Sequence, residues 1–333
     1  MLKLGNPKQL LMCRTIFSLL LFQLAIGGSS SGQTSFPTKS DTVSSTPPTY
    51  HYEVTPNQYE LVGFFEPGQS MRSGAENIFA LHHAITGLED KLFGHSWFGQ
   101  NPGDSKFADR SSRFAKYVFV DLPTDFFLIL INHEYYGHAS RYREFDLGIV
   151  EYKFNPPPPY GEGGGYANVS GYNRPTSYQE KILIWQAGME AHDMLNRRLS
   201  LEWIMRGSAN YHESILYLWN WQDRFQYIQW ENDELPEDLN GPMYDPEGYV
   251  WFLNRSAGFE DPHNLRFKLT HLRKSGLISL ADPFVWYSLY NQFVGYIYAG
   301  NPSGPVPMVN LGDIKYLPSL RMSLTPYGPQ YHI

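Results

Sequence analysis

Apolar residues recur mostly at three- and four-residue intervals, and strict alternation is rare, so the chain reads as mainly helical. Ser73-Gly74-Ala75-Glu76 has the form of a capping box. The helix it opens carries Ile78, Phe79, Leu81, His82, Ile85 and Leu88 before stopping at Gly94. Pro123 and Asp125 start a second helix, in which the unbroken apolar run from Phe126 to Ile131 leads straight into Asn132-His133-Glu134. A helix this apolar is buried on most of its faces. Pro156 to Pro159 and the glycines from Gly161 to Gly165 break any helix and give a loop or an edge strand. Ser177-Tyr178-Gln179-Glu180 is another capping box, placed ahead of Ile182, Leu183, Ile184 and Met189. Asp245-Pro246, Asp261-Pro262 and Asp282-Pro283 each set an N-cap carboxylate before a proline at the first helical position. The aromatic helix from Phe284 to Tyr298 reads as core, since Asn291 and Gln292 within it suit a packed interior better than lipid. Ser319 to Thr325 alternates Leu320, Met322 and Leu324 with polar residues, as a strand does.

The two ends differ from this middle. Lys3, Lys8 and Arg14 precede an apolar run from Ile16 to Ile26 and then small residues to Gly32, which is the form of an export signal. The run falls below the roughly 20 apolar residues that span a bilayer. The single cysteine, Cys13, would leave with that signal, so the mature chain has neither disulfide nor thiolate ligand. The expected organisation is a signal peptide over 1–32, a disordered linker over 33–70, a helical domain over 71–300 and an extended segment over 301–333. An exported or envelope-associated protein follows. A net charge of -7 and the lack of any basic run exclude nucleic acid as the main partner. With 16% aromatic residues, the helices suit either a dense core or association with a membrane surface.

The candidate chemistry lies in His133-Glu134-Tyr135-Tyr136-Gly137-His138. Zinc hydrolases commonly place two histidines at i and i+4 on one helical face, where both reach one ion. Here they stand at i and i+5, which on a regular helix turns them roughly 140° apart. A single π-turn absorbs one inserted residue, and Gly137 tolerates the distortion. The hypothesis therefore requires a bulge between Glu134 and His138. The hexapeptide resembles the His-Glu-x-x-Gly-His motif of the dipeptidyl peptidase III family, zinc exopeptidases with the same insertion. In that family the third ligand is a glutamate on a later helix, so the resemblance implies Glu190 as the third ligand and Asp193 as the carboxylate that orients a ligand histidine.

On this reading the fold is a zincin-like helical domain with a few short strands. Zn2+ is bound by His133, His138 and Glu190, and Glu134 is the general base that takes a proton from a zinc-bound water. The oxyanion needs a donor, for which His192, Tyr136 and Tyr135 are candidates. A peptide or protein is the expected substrate. Arg141 and Arg143 either hold a substrate carboxylate or form a solvated face. His82 and His83 are adjacent and read as packing, and His212-Glu213 has no second histidine at useful spacing. Two other functions stay open: a catalytically inactive exported or envelope-structural binding domain, and a helical metal centre without proteolysis.

Overall fold

Ser177 and Asp282 cap the helices they precede, and the other signals are displaced in informative ways. The computed structural model describes residues 63, 66, 68–93, 106–230, 244–261 and 263–332. They fall within one unit, Tyr59–Ile333. The export segment and most of the linker lie outside the described residues. The linker's last residues do not continue as disordered chain. The Ser70 amide donates to Glu66 Oε1 at 2.7 Å, and Arg143 donates to the Gly68 and Gln69 carbonyls. Helix α1, Met71–Phe93, starts there, with Ser70 Oγ accepting from the Ser73 amide at 3.3 Å. Ser73 thus lies inside the first turn, and Ser70 is the cap.

Residues 106–144 form one continuous helical run. It comprises α2 (Lys106–Lys116), a π-turn (Tyr117–Asp121), α3 (Leu122–Ile131), a second π-turn (Asn132–His138) and α4 (Ala139–Glu144). Pro123 does not start this helix, as its sequence context suggests; the helix runs through it. Proline removes one backbone donor and crowds the carbonyl four residues back. The wider π-turn just before it relieves that crowding. The carbonyl left over, that of Phe119, accepts the Tyr160 hydroxyl at 2.6 Å.

The central element is α5, Tyr178–Arg206, opened by the expected capping box: the Glu180 amide donates to Ser177 Oγ at 3.2 Å and the Ser177 amide to Glu180 Oε2 at 2.8 Å. It closes on Gly207, whose φ of +74° suits glycine. Around α5 pack the second π-turn, α1, α6 (Tyr211–Trp230) and α7 (Asp245–Ser256). Buried positions on α5, from Ile182 through Met189, Leu195 and Leu199 to Trp203, occupy several faces, as a surrounded helix requires. Ile182 and Met189 join Tyr249, Val250, Leu272, Met322 and Leu324 in one apolar cluster.

Helix α7 does not use Asp245 as its N-cap. Tyr244 holds that place, its amide donating to Glu247 Oε2 at 2.9 Å, and Asp245 is the first helical residue. Asp261 accepts the His263 amide in a turn, while α8 starts later, at Leu269–Gly276. Asp282 does cap α9, Pro283–Tyr290, which continues as a π-turn over Asn291–Tyr298. This aromatic helix is core on one side only: Phe284, Tyr287, Asn291, Gln292 and Tyr296 are buried, while Trp286, Tyr290 and Tyr298 are exposed.

Among the described residues the strands form four separate antiparallel pairs: β1 (Val150–Phe154) with β2 (Gly165–Val169), β3 (Ser208–Asn210) with β4 (Ser303–Pro305), β5 (Val309–Leu311) with β6 (Ile314–Tyr316), and β7 (Arg321–Thr325) with β8 (Gly328–His332). The Pro/Gly-rich stretch is the turn between β1 and β2, whose register runs from Val150 opposite Val169 to Phe154 opposite Gly165. The alternating segment is β7, with Met322 and Leu324 turned into the core. The fold is mainly α with a few short strands. Among the described residues no helix is long and apolar enough to cross a membrane.

Candidate metal centre

The second π-turn brings together what a regular helix would separate. Because its hydrogen bonds reach one residue further, residues five apart come onto one face. His133 Nε2 and His138 Nε2 stand 3.2 Å apart. Both face Asp245 Oδ2, at 2.9 Å and 3.0 Å respectively. All three residues are buried. His133 and His138 come from the π-turn, and Asp245 from the first turn of α7, 107 residues after His138.

Two glycines make this convergence possible. A Cβ on Gly137 would lie 2.8 Å from Gly188 Cα, so the π-turn and α5 cross almost backbone to backbone. At Gly188 a Cβ would lie 2.2 Å from His133 Nε2, so the imidazole occupies the space where α5 lacks a side chain. One turn earlier on α5, the Trp185 ring fills the space beside Gly248 and lets α7 close in. That contact carries Asp245 to the histidines.

The hydrogen-bond pattern fixes which nitrogen of His138 faces inward. Its Nδ1 donates to the Ile184 carbonyl at 2.8 Å, which leaves the lone pair of a neutral imidazole on Nε2, aimed at Asp245 and His133. The converging atoms are then acceptors with little to donate, and a positive charge, either a proton or a metal ion, is needed among them. Burial by itself pushes His133 down, but the hydrogen bond and charge of Asp245 outweigh it and raise the imidazole to about 9. His138 shifts upward as well, against its burial, because of the Asp245 charge. Burial raises Asp245, yet the two imidazoles hold it well below the usual carboxylate range. The edges of 2.9, 3.0 and 3.2 Å come close to the roughly 3.3 Å separating the ligand atoms of a tetrahedral zinc ion. Nitrogen and oxygen donors in this proportion suit zinc, and the set forms one of the His/Asp groups with metal-ligand spacing.

Other residues expected at the site fall in different places. Glu134 is buried beside the histidines, has no hydrogen-bond partner among the described residues, and its charge acts on His133 and His138. His192 is buried with its ring 5.0 Å from that of His133. Its Nε2 faces the Ile129 carbonyl at 3.3 Å, and burial followed by the nearby His133 pushes it well below the usual range. The Tyr136 hydroxyl accepts from the Asn77 Nδ2 of α1 at 3.2 Å. The Tyr135 ring packs at a tilt against Tyr152 and lies beneath Arg143.

Glu190 does not reach the histidines. It pairs with Arg141 at 2.8 Å and also accepts from Gln186, so α5 turns this carboxylate towards α4. Asp193 pairs with Arg224 at 2.8 Å and accepts from Ser323, away from any ligand histidine. Arg141 and Arg143 serve the fold, the first through Glu190 and Glu144 and the second through backbone carbonyls at Gly68, Gln69 and Tyr135. Sequence reasoning missed Asp245 and Asp223. Asp223 Oδ2 lies 3.5 Å from His192 Nδ1 and 3.9 Å from His133 Nδ1.

A second buried charge cluster lies at the other π-turn. Lys116 Nζ reaches Glu89 at 2.5 Å, Asp121 at 2.8 Å and the Tyr211 hydroxyl at 2.6 Å. His212 Nδ1 stands 3.8 Å from Asp121, and His82 Nε2 stands 3.2 Å from Asp125. His82 and His83 are therefore more than packing, since His83 pairs with Glu213 at 2.7 Å.

Comparison with known proteins adds no relative: no family model, no curated protein and no solved structure matches the chain.

Proposed function

We propose that the chain is a zinc-dependent hydrolase, acting on a peptide or protein, with His133, His138 and Asp245 as ligands and Glu134 as general base. The observation that carries this reading is the meeting of two histidine nitrogens from a π-turn that also bears a buried glutamate with one carboxylate oxygen from α7, all within 3.2 Å of one another. Asp245 replaces Glu190 as the third ligand because Glu190 is committed to Arg141. Zinc held by two neutral imidazoles and one carboxylate supplies an open position, a bound water with a pKa near roughly 7, and polarisation of a carbonyl.

The chain's own groups do the rest. His138 is oriented through Nδ1 by the Ile184 carbonyl, which keeps Nε2 available. Glu134 follows His133 directly, has no competing hydrogen bond among the described residues, and so is available to take the water's proton and pass it to the leaving amine. Tyr227 joins Tyr136 as a candidate oxyanion donor: its ring lies 6.2 Å from that of His133, and its hydroxyl accepts from the Asp245 amide at 3.4 Å. Likeness to zincins and to the dipeptidyl peptidase III hexapeptide supports the reaction class and leaves the substrate's sequence open.

The test is a pair of variants on the purified chain, assayed for zinc content and for cleavage of a peptide library. Glu134→Gln should retain the wild-type zinc content and lose turnover by at least about 100-fold, the usual scale for a general base. Asp245→Asn should lose zinc and turnover together. Full turnover in Glu134→Gln would remove Glu134 as the general base, whereas a zinc-bound wild type that cleaves nothing would end the hydrolytic assignment. The latter would favour a metal centre without hydrolysis, a reading to which the burial of all three ligands also lends weight.

A further inference from the structure

We infer that His192 and Asp223 form a second cation subsite that shares His133 with the first, so that the centre takes two divalent ions of the zinc type. The inference rests on the zinc reading above and extends it. His133 turns Nε2 towards His138 and Asp245 and Nδ1 the opposite way, towards Asp223 Oδ2 at 3.9 Å. The same oxygen lies 3.5 Å from His192 Nδ1. His192 Nε2 faces the Ile129 carbonyl at 3.3 Å, so its proton belongs there and its lone pair points to Asp223 from Nδ1.

Among the described residues neither Nδ1 atom has a hydrogen-bond partner, although His133 is only 7% and His192 only 1% exposed. Buried polar atoms are rarely left so. The two separations are too long for good direct hydrogen bonds. They are only slightly wider than the roughly 3.3 Å between donor atoms around a tetrahedral ion. The Asp223 side chain is 32% exposed, which gives the subsite both a route in and a ligand able to move by the small amount required.

Charge points the same way. Glu134, Asp223 and Asp245 gather beside three imidazoles, and no lysine or arginine is ion-paired to any of these carboxylates among the described residues. One divalent ion leaves that group net negative. That remaining negative charge favours a second divalent ion at the His192 and Asp223 side.

The competing occupant is a water held between Asp223 and the two Nδ1 atoms. The experiment is equilibrium dialysis of the chelator-treated full chain against zinc alone, with bound metal counted for wild type and Asp223→Asn. Expected are two equivalents in the wild type and one in the variant, the tighter one retained. A wild type that binds one equivalent, unchanged by Asp223→Asn, would overturn the second subsite and leave the first standing. Two equivalents in both chains would overturn the assignment to Asp223, and none in either would overturn both readings. If Asp223→Asn does not fold by circular dichroism, Asp223→Ser takes its place, and the wild-type count alone still decides against a second ion if it is one or none.

Discussion

The helical run 106–144 contains two π-turns, and a buried cluster of charged residues packs against each. At the first, Glu89 and Asp121 close on Lys116, a cation supplied by the chain itself. At the second, Asp245 closes on two histidines, and no lysine or arginine is ion-paired to it among the described residues. Buried carboxylates are expensive to desolvate unless a positive charge meets them. The first cluster therefore completes itself on folding, whereas the second needs its positive charge from solution, as protons or as metal. The same helical irregularity serves as a structural joint in one place and as a binding site in the other, and the difference is a single lysine.

The largest effect should come from removing that lysine. Lys116→Met leaves Glu89 and Asp121 unmatched in the interior, which should cost about 3–5 kcal/mol in urea unfolding. Zinc content should not change, and a variant that loses zinc would show that the two clusters are not independent. Gly188→Ala should come next, with a cost of roughly 1–3 kcal/mol for an overpacked contact. In this case the metal should be lost as well, because the new methyl takes the place of the His133 ring. Retention of zinc with full affinity would break the argument that the close helix crossing builds the site. Glu190→Ala should have the smallest effect, about 1 kcal/mol or less for a half-exposed ion pair, with zinc retained. If dialysis showed zinc lost from that variant, Glu190 would return as a ligand and Asp245 would lose its place.

Local chemistry carries its signal in the sequence, and tertiary approach does not. The hexapeptide already requires a π-turn, because two histidines five apart cannot otherwise share an ion, and the helix has one there. Ser177 and Asp282 cap the helices they precede, since a cap is decided within a few residues. Asp245 is the opposite case. Asp-Pro is good helix-start grammar, and nothing nearby reveals that Tyr244 takes the cap and frees the carboxylate to turn inward. Its partners lie 112 and 107 residues away, brought close by the fit of Trp185 beside Gly248. Gly188 could have given a hint, as a glycine inside an otherwise regular helix usually marks a close approach. Pro123 misleads for a related reason, because a π-turn upstream lets a helix continue through it.

The second π-turn also changes what counts as a small genetic change. One extra residue in a regular helix would swing everything after it through about 100°. Here the surplus is confined to seven residues, and an ordinary helix continues on both sides. A codon gained or lost within that segment would therefore spare the distant packing of the helix while resetting the angle between its two histidines. Most point substitutions there leave that angle alone. For this protein, insertions and deletions are the lineage events that would switch the site on or off in one step. A pattern that counts letters between histidines would pass over it in either state.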